Sequence, residues 1–140
     1  MSIAKQLYQL QEVDLEIEVD EQSLREMVSQ LGESQAVIKA QAKLALEQQR
    51  LGELKRQQHS AEGDIDDLVS KITKAEEELY SGRVKNPKEL TSLQHEVDLL
   101  KAKRGRLEND ALEIMGRVEM AETSVNAANG ELEKLEANWQ

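Results

Sequence analysis

The sequence predicts an all-α fold, a long antiparallel coiled-coil helical hairpin with a kink or break near residue 32. Three observations carry that reading. From Leu90 onward, apolar or small residues recur at Leu93, Val97, Leu100, Leu107, Ala111, Ile114, Val118, Ala121, Val125, Ala128, Leu132, Leu135 and Trp139, with Arg104 holding one place, in alternating steps of three and four. That period is a coiled-coil seam. Reading backward from Ser81, the mirror pattern appears at Leu79, Ala75, Ile72, Leu68, Ile65, Ala61, Gln58, Leu54, Leu51, Glu47, Leu44, Ala40 and Val37. The two seams are separated only by Ser-Gly-Arg-Val-Lys-Asn, residues 81–86, a connection so short that the helices it joins must lie antiparallel and adjacent. Matching the seams outward from the loop sets Leu79 against Leu90, Ile72 against Val97, Leu44 against Val125 and Val37 against Leu132.

The chain reads as one coiled-coil domain over residues 1–140, with an N-terminal helical segment (1–31), a first hairpin helix (34–80), a loop (81–86) and a second hairpin helix (87–140). The N-terminal segment has its own stripe at Ile3, Leu7, Leu10, Ile17, Leu24, Val28 and Leu31, interrupted by Asp14 and Glu21. Carried forward, this phase arrives at Ile38 and misses Val37, so the register slips by about one residue around Leu31-Gly-Glu-Ser34. Glycine in a helix interior costs about 1 kcal/mol relative to alanine, and Ser34 suits a new N-cap, so a kink or break is expected here. Leu15-Glu-Ile-Glu-Val-Asp20 alternates as a strand does, but it lies within a longer helical period and is assigned to helix. In the first hairpin helix Gly52 and Gly63 are soft spots, and Ala61, Ile65 and Leu68 hold the heptad phase past Gly63. The second hairpin helix opens with Asn86 as N-cap, Pro87 at the first helical position and Glu89 placed for a capping box. Gly82 supplies the permissive backbone after the preceding helix.

Composition fits this architecture. The 140 residues include no Phe, one Trp and two Tyr, too few large rings to fill a rounded core, while a third of the residues are charged. The net charge of −10 argues against indiscriminate binding to nucleic acid or anionic membrane. Cysteine is absent, which excludes disulfides, thiol nucleophiles and thiolate metal sites. No signal-like or membrane-spanning run is present, so a cytoplasmic address is expected. Charge is uneven along the chain: residues 10–26 hold seven acids against Arg25, while residues 81–106 hold seven Lys or Arg against Glu89, Glu96 and Asp98.

No catalytic constellation is legible, and no enzyme is expected. His59 and His95 fall many turns apart in the expected register and read as surface residues. The loop cations Arg83, Lys85 and Lys88, held at the hairpin tip on a rigid support, are the candidate partner-binding residues, suited to phosphates or to an acidic protein surface. A second basic run, Lys101-Ala-Lys-Arg-Gly-Arg106, offers Lys101, Lys103 and Arg106 as alternative nucleic-acid contacts. The register sets it against Glu62, Asp64, Asp66 and Asp67, which favours ion pairs between helices. No aromatic platform beyond Tyr80 accompanies the loop cations for reading single strands. Because Trp139 pairs near Gln30, residues 1–28 have no partner within the hairpin. Ile3, Leu7, Leu10, Ile17, Leu24 and Val28 are therefore expected to self-associate, most simply as an antiparallel homodimer, with fold-back at Gly32 as the alternative.

The segment Leu79-Tyr-Ser-Gly-Arg-Val-Lys-Asn-Pro-Lys-Glu-Leu-Thr-Ser-Leu-Gln-His-Glu96, together with Leu7-Tyr-Gln-Leu-Gln-Glu-Val-Asp-Leu-Glu-Ile17, resembles the bacterial family of coiled-coil proteins that end in a four-cysteine zinc ribbon. The resemblance spans the chain, and its specific part is the SGRVKNPKEL loop, which heptads do not explain. It implies a kinked helical hairpin ahead of a ribbon, and an adaptor or chaperone role with flagellar or type III secretion components, with the sigma factor serving such genes, or in one lineage with messenger RNA. Zinc would belong to the ribbon. This cysteine-free chain is expected to be the hairpin part, a truncated piece without the ribbon, and to carry no cofactor itself.

Overall fold

The computed structural model describes residues 2–139, in two helices: α1, Ile3–Tyr80, and α2, Pro87–Trp139. Ser2 starts α1. Its hydroxyl accepts from the Lys5 N–H (3.3 Å) and its carbonyl from the Gln6 N–H (3.2 Å), so two amides left over at the first turn are satisfied.

α1 runs unbroken through Leu31-Gly32-Glu33-Ser34. The separate N-terminal segment, the new helix start at Ser34 and the fold-back of residues 1–31 as a third helix are thereby corrected. Ending a helix and nucleating another forfeits several backbone hydrogen bonds and fixes a new first turn. Against that, one interior glycine costs only about 1 kcal/mol. The slip of register is real, but it lies in the side chains: Val37 is half-buried while its neighbour Ile38, which continues the N-terminal phase, is 60% exposed. The backbone stays helical and the apolar stripe changes face.

The chain divides into two packed units. In the first, Met1–Ala45 with Ala127–Gln140, the buried residues are Ala40, Ala128 and Leu132, flanked by half-buried Val37, Leu44 and Leu135. Lys43 Nζ lies 3.9 Å from Glu131 Oε2 across this pair of helical segments. From residue 2 to Glu33 every residue is exposed; burial begins at Ser34.

In the second unit, Leu46–Asn126, Leu68, Ile72, Val97, Val118 and Ala121 are buried, and Val97 is the most enclosed at 1% exposure. Lys55–Glu122 (4.0 Å) and Glu76–Lys101 (2.9 Å) bridge its helices. Between these two pairs the sequence climbs 21 residues along α1 and descends 21 along α2, the mark of antiparallel packing. Every expected seam position from Val37 to Leu79 and from Leu90 to Leu135 is buried or half-buried. The last expected position, Trp139, and hence its pairing near Gln30, falls outside the residues whose side chains are described.

Ile72 (4% exposed) and Val97 are expected partners across the seam. A chain carrying Ile72→Cys and Val97→Cys is expected to crosslink intramolecularly under mild oxidation, read by non-reducing gel mobility. Preferential crosslinking of position 72 to position 90 or 104 would overturn the register.

Candidate functional site

The loop is built by three local devices. Gly82 takes φ +76°, the left-handed conformation that glycine adopts without steric cost, and turns the chain out of α1. Ser81 uses its hydroxyl twice, donating to the Glu78 carbonyl (2.9 Å) and accepting from the Arg83 N–H (3.3 Å), which closes the helix end. Asn86 Oδ1 accepts from the Lys88 N–H (3.0 Å), and the Asn86 carbonyl accepts from the Leu90 N–H (3.0 Å), so Asn86 caps α2 as expected.

Between these ends Val84 is half-buried and lines a surface groove with Glu78, Lys88, Glu89, Ser92 and Leu93. Val84 thus anchors the loop. Sequence reasoning missed both Val84 and the double role of Ser81; the available signal was Val84's standing as the sole apolar residue between Tyr80 and Leu90.

Arg83, Lys85 and Lys88 are all exposed, and among the described residues none has a carboxylate within 4.0 Å. A capped and anchored backbone thus presents three solvated cations close together in the chain. The geometry suits an acidic surface or a phosphate-bearing ligand, because side chains on a pre-ordered loop lose little further backbone entropy on binding.

The second basic run divides. Lys101 is engaged: its ammonium sits 2.9 Å from Glu76 Oε1, and the hydrogen bond and negative charge of Glu76 raise its pKa above the usual lysine value. The expected partners of this run lay at residues 62–67, and Glu76 replaces them for Lys101. Helical side chains lean toward their own N-terminus. In an antiparallel pair Lys101 therefore leans toward the loop and Glu76 away from it, so the two side chains incline toward each other.

By linkage, any stability from this pair is fully present below the unfolded lysine value and is lost as pH rises through the raised folded value. Lys103 does share a groove with Asp64, Asp67, Leu68 and Lys71. Arg104, at its seam position, is half-buried and finds Glu108 on its own helix (Nε–Oε1 3.7 Å). Its stem packs while its head keeps a carboxylate and a route to water. Arg106 is exposed.

The N-terminal stripe is an exposed apolar surface. Ile3 is 77% exposed, and Leu7, Leu10, Ile17, Leu24 and Val28 are between 50% and 63% exposed. Val13 and Met27 widen the same face at 52% and 64%. His59 and His95 are exposed, and among the described residues no cluster of three or more His, Asp or Glu is arranged to hold a metal ion. No helix among them is long and apolar enough to cross a membrane.

Residues 5–140 match a family model described as the CT398-like coiled coil hairpin domain. No curated protein and no solved structure matches the chain.

Proposed function

The chain belongs to the CT398-like coiled coil hairpin domain family, and from that premise we propose that it is a non-enzymatic protein-interaction module of the adaptor or chaperone type. The observation that carries this reading is the loop: Arg83, Lys85 and Lys88 stand exposed on a backbone locked by Gly82, Ser81, Val84 and Asn86. The hairpin interior is occupied by seam side chains, which supports binding through the surfaces. In this proposal an acidic patch on a protein partner docks at the loop, and the helices hold that loop away from solvent-driven fraying. The resemblance of the SGRVKNPKEL loop to adaptors of flagellar and type III secretion components, and of a sigma factor, supplies the class of partner to test, in a cytoplasmic setting.

Replacing Arg83, Lys85 and Lys88 together by Ser is expected to leave helicity and melting nearly unchanged, since none lies on the seam, and to weaken capture of such a partner by about tenfold or more. Unchanged capture would move the site off the loop. Nucleic-acid binding through the loop and through Lys103 and Arg106 is the second reading, favoured by the absence of a carboxylate within 4.0 Å of either among the described residues. Salt titration separates the two. Affinity for a duplex should fall along a steep straight line in log salt, with a slope set by the number of phosphates neutralised.

A further inference from the structure

We propose that the chain self-associates through one flank of its second unit, two copies lying antiparallel about a two-fold axis beside Leu99. The flank consists of residues that stand just before seam positions. Asp64, Lys71 and Glu78 precede Ile65, Ile72 and Leu79 on α1, and Glu96, Lys103 and Asp110 precede Val97, Arg104 and Ala111 on α2. In an antiparallel coiled coil such positions meet on one side of the seam. The surface grooves agree: Asp64 and Asp110 line one, Lys71 and Lys103 line a second that also takes in Asp64 and Asp67, and Glu78 and Glu96 line a third. One heptad apart on each helix, the layers read acidic, basic, acidic.

The other side of the seam is built differently. Glu76 and Lys101 follow the seam residues Ala75 and Leu100 and bridge the helices at 2.9 Å, and Lys55 with Glu122, which follow Leu54 and Ala121, does so at 4.0 Å. There the hairpin answers its own charges. On the first flank all six residues are exposed, and among the described residues none makes an ion pair within 4.0 Å. Like charges set together across two helices repel, and a surface bearing the opposite order relieves them.

A second copy carries that order. Turned end for end about an axis midway between the basic layer and the acidic layer nearer the loop, it sets Lys71 and Lys103 against the other copy's Glu78 and Glu96, twice over by symmetry. Leu99 falls at the axis. It lies between Glu96 and Lys103 on the same side of α2, is 58% exposed, and meets its own counterpart there, giving the charges an apolar centre. Farther out, Asp64 and Asp67 face the other copy's Arg83 and Lys85. This outer layer rests on the proposed role of the loop, as it makes a second copy the bearer of the acidic patch; the inner layers do not.

Two positions add nothing. Lys74, the α1 residue at the axis, meets its counterpart, and its flexible stem lets the ammonium swing toward Glu78. Asp110 falls between Lys88 and Glu89. The competing alignments are worse: an axis between the basic layer and the Asp64–Asp110 layer sets Asp67 on Asp67 and Arg106 on Arg106, and parallel copies repeat every layer against itself. Such like-charge contacts select against those arrangements.

Self-association is expected to be weak, with a dissociation constant of roughly 10–100 µM, because the surface is small and its pairs are solvated. The chain is then monomeric at the lower concentrations of an unfolding experiment. Sedimentation equilibrium of the full chain across and above that range is the test. Lys71→Glu with Lys103→Glu, and separately Glu78→Lys with Glu96→Lys, are each expected to weaken association about tenfold or more, with helicity by circular dichroism retained. An equimolar mixture of the two variants should associate again, since each carries the charges the other faces. Leu99→Asp should weaken association as well, and it carries the test if either reversal lowers helicity.

None of these changes touches Arg83, Lys85 or Lys88, so their failure would leave the proposed role of the loop standing, and the triple Ser replacement tests that role separately. A parent chain that stays monomeric above this range, association unmoved by the reversals and by Leu99→Asp, or a mixture no more associated than its separate components would overturn the proposal.

Discussion

Val97→Asp is expected to lower stability by about 3–5 kcal/mol, the range for leaving a charge uncompensated inside a packed interface. Val97 is 1% exposed, in the same unit as Ile72 and Leu68, each 4% exposed. A carboxylate there meets an apolar seam with no donor at hand. Its desolvation must be met by protonation, by water entering the seam, or by separation of the helices.

The measurement is urea or thermal unfolding followed by circular dichroism. The control is Leu99→Asp, two residues along α2 but 58% exposed, where a change within about 0.5 kcal/mol is expected. Equal losses at 97 and 99 would mean that the seam does not discriminate between faces, and the coiled-coil account of the second unit would fail.

The contrast between 97 and 99 also explains why so much of this fold is readable from residues alone. A coiled-coil seam is one-dimensional: steps of three and four both assign the helix and name its buried face, with no distant contact to infer. Asn86-Pro87 and Gly82 are equally local, because capping and left-handed turns depend on a few adjacent residues.

What escaped the sequence depends on balances or on side-chain reach. At Gly32 the cues for a break were present, but the cost of one glycine is smaller than that of starting a second helix. Lys101 pairs with Glu76 and not with residues 62–67, a placement that a level-by-level register does not supply. Val84 was overlooked because a loop of polar and glycine residues was read for its charges, when its single apolar side chain is what seats it. The exposed N-terminal stripe was legible in full.

The second large effect has the opposite sign and comes from the least comfortable residue in the seam. Glu47 occupies a half-buried seam position, and its Oε2 is shut off from solvent without a hydrogen-bond partner. Arg104 has a comparable position but reaches Glu108 and water, so its charge is accommodated. Leaving a buried polar atom unsatisfied costs about 1–3 kcal/mol, and a leucine side chain buried in its place adds about 1.5–3 kcal/mol of its own.

Overpacking and the partial exposure of the site reduce that sum, so Glu47→Leu is expected to stabilise the chain by about 1–3 kcal/mol. Glu47→Gln, which keeps the size and the polarity, should change stability by less than about 1 kcal/mol. A polar residue tolerated at such a position is explained if it marks register, since a misaligned hairpin would bury it against other apolar residues. Combining Glu47→Leu with the Ile72→Cys and Val97→Cys crosslinking pair checks both effects together: the midpoint of unfolding should rise, and crosslinking from position 72 should become less selective for position 97 over 90 and 104. A lower midpoint would show that the Glu47 carboxylate contributes a favourable contact, and undiminished selectivity would assign register to the loop and the apolar seam alone.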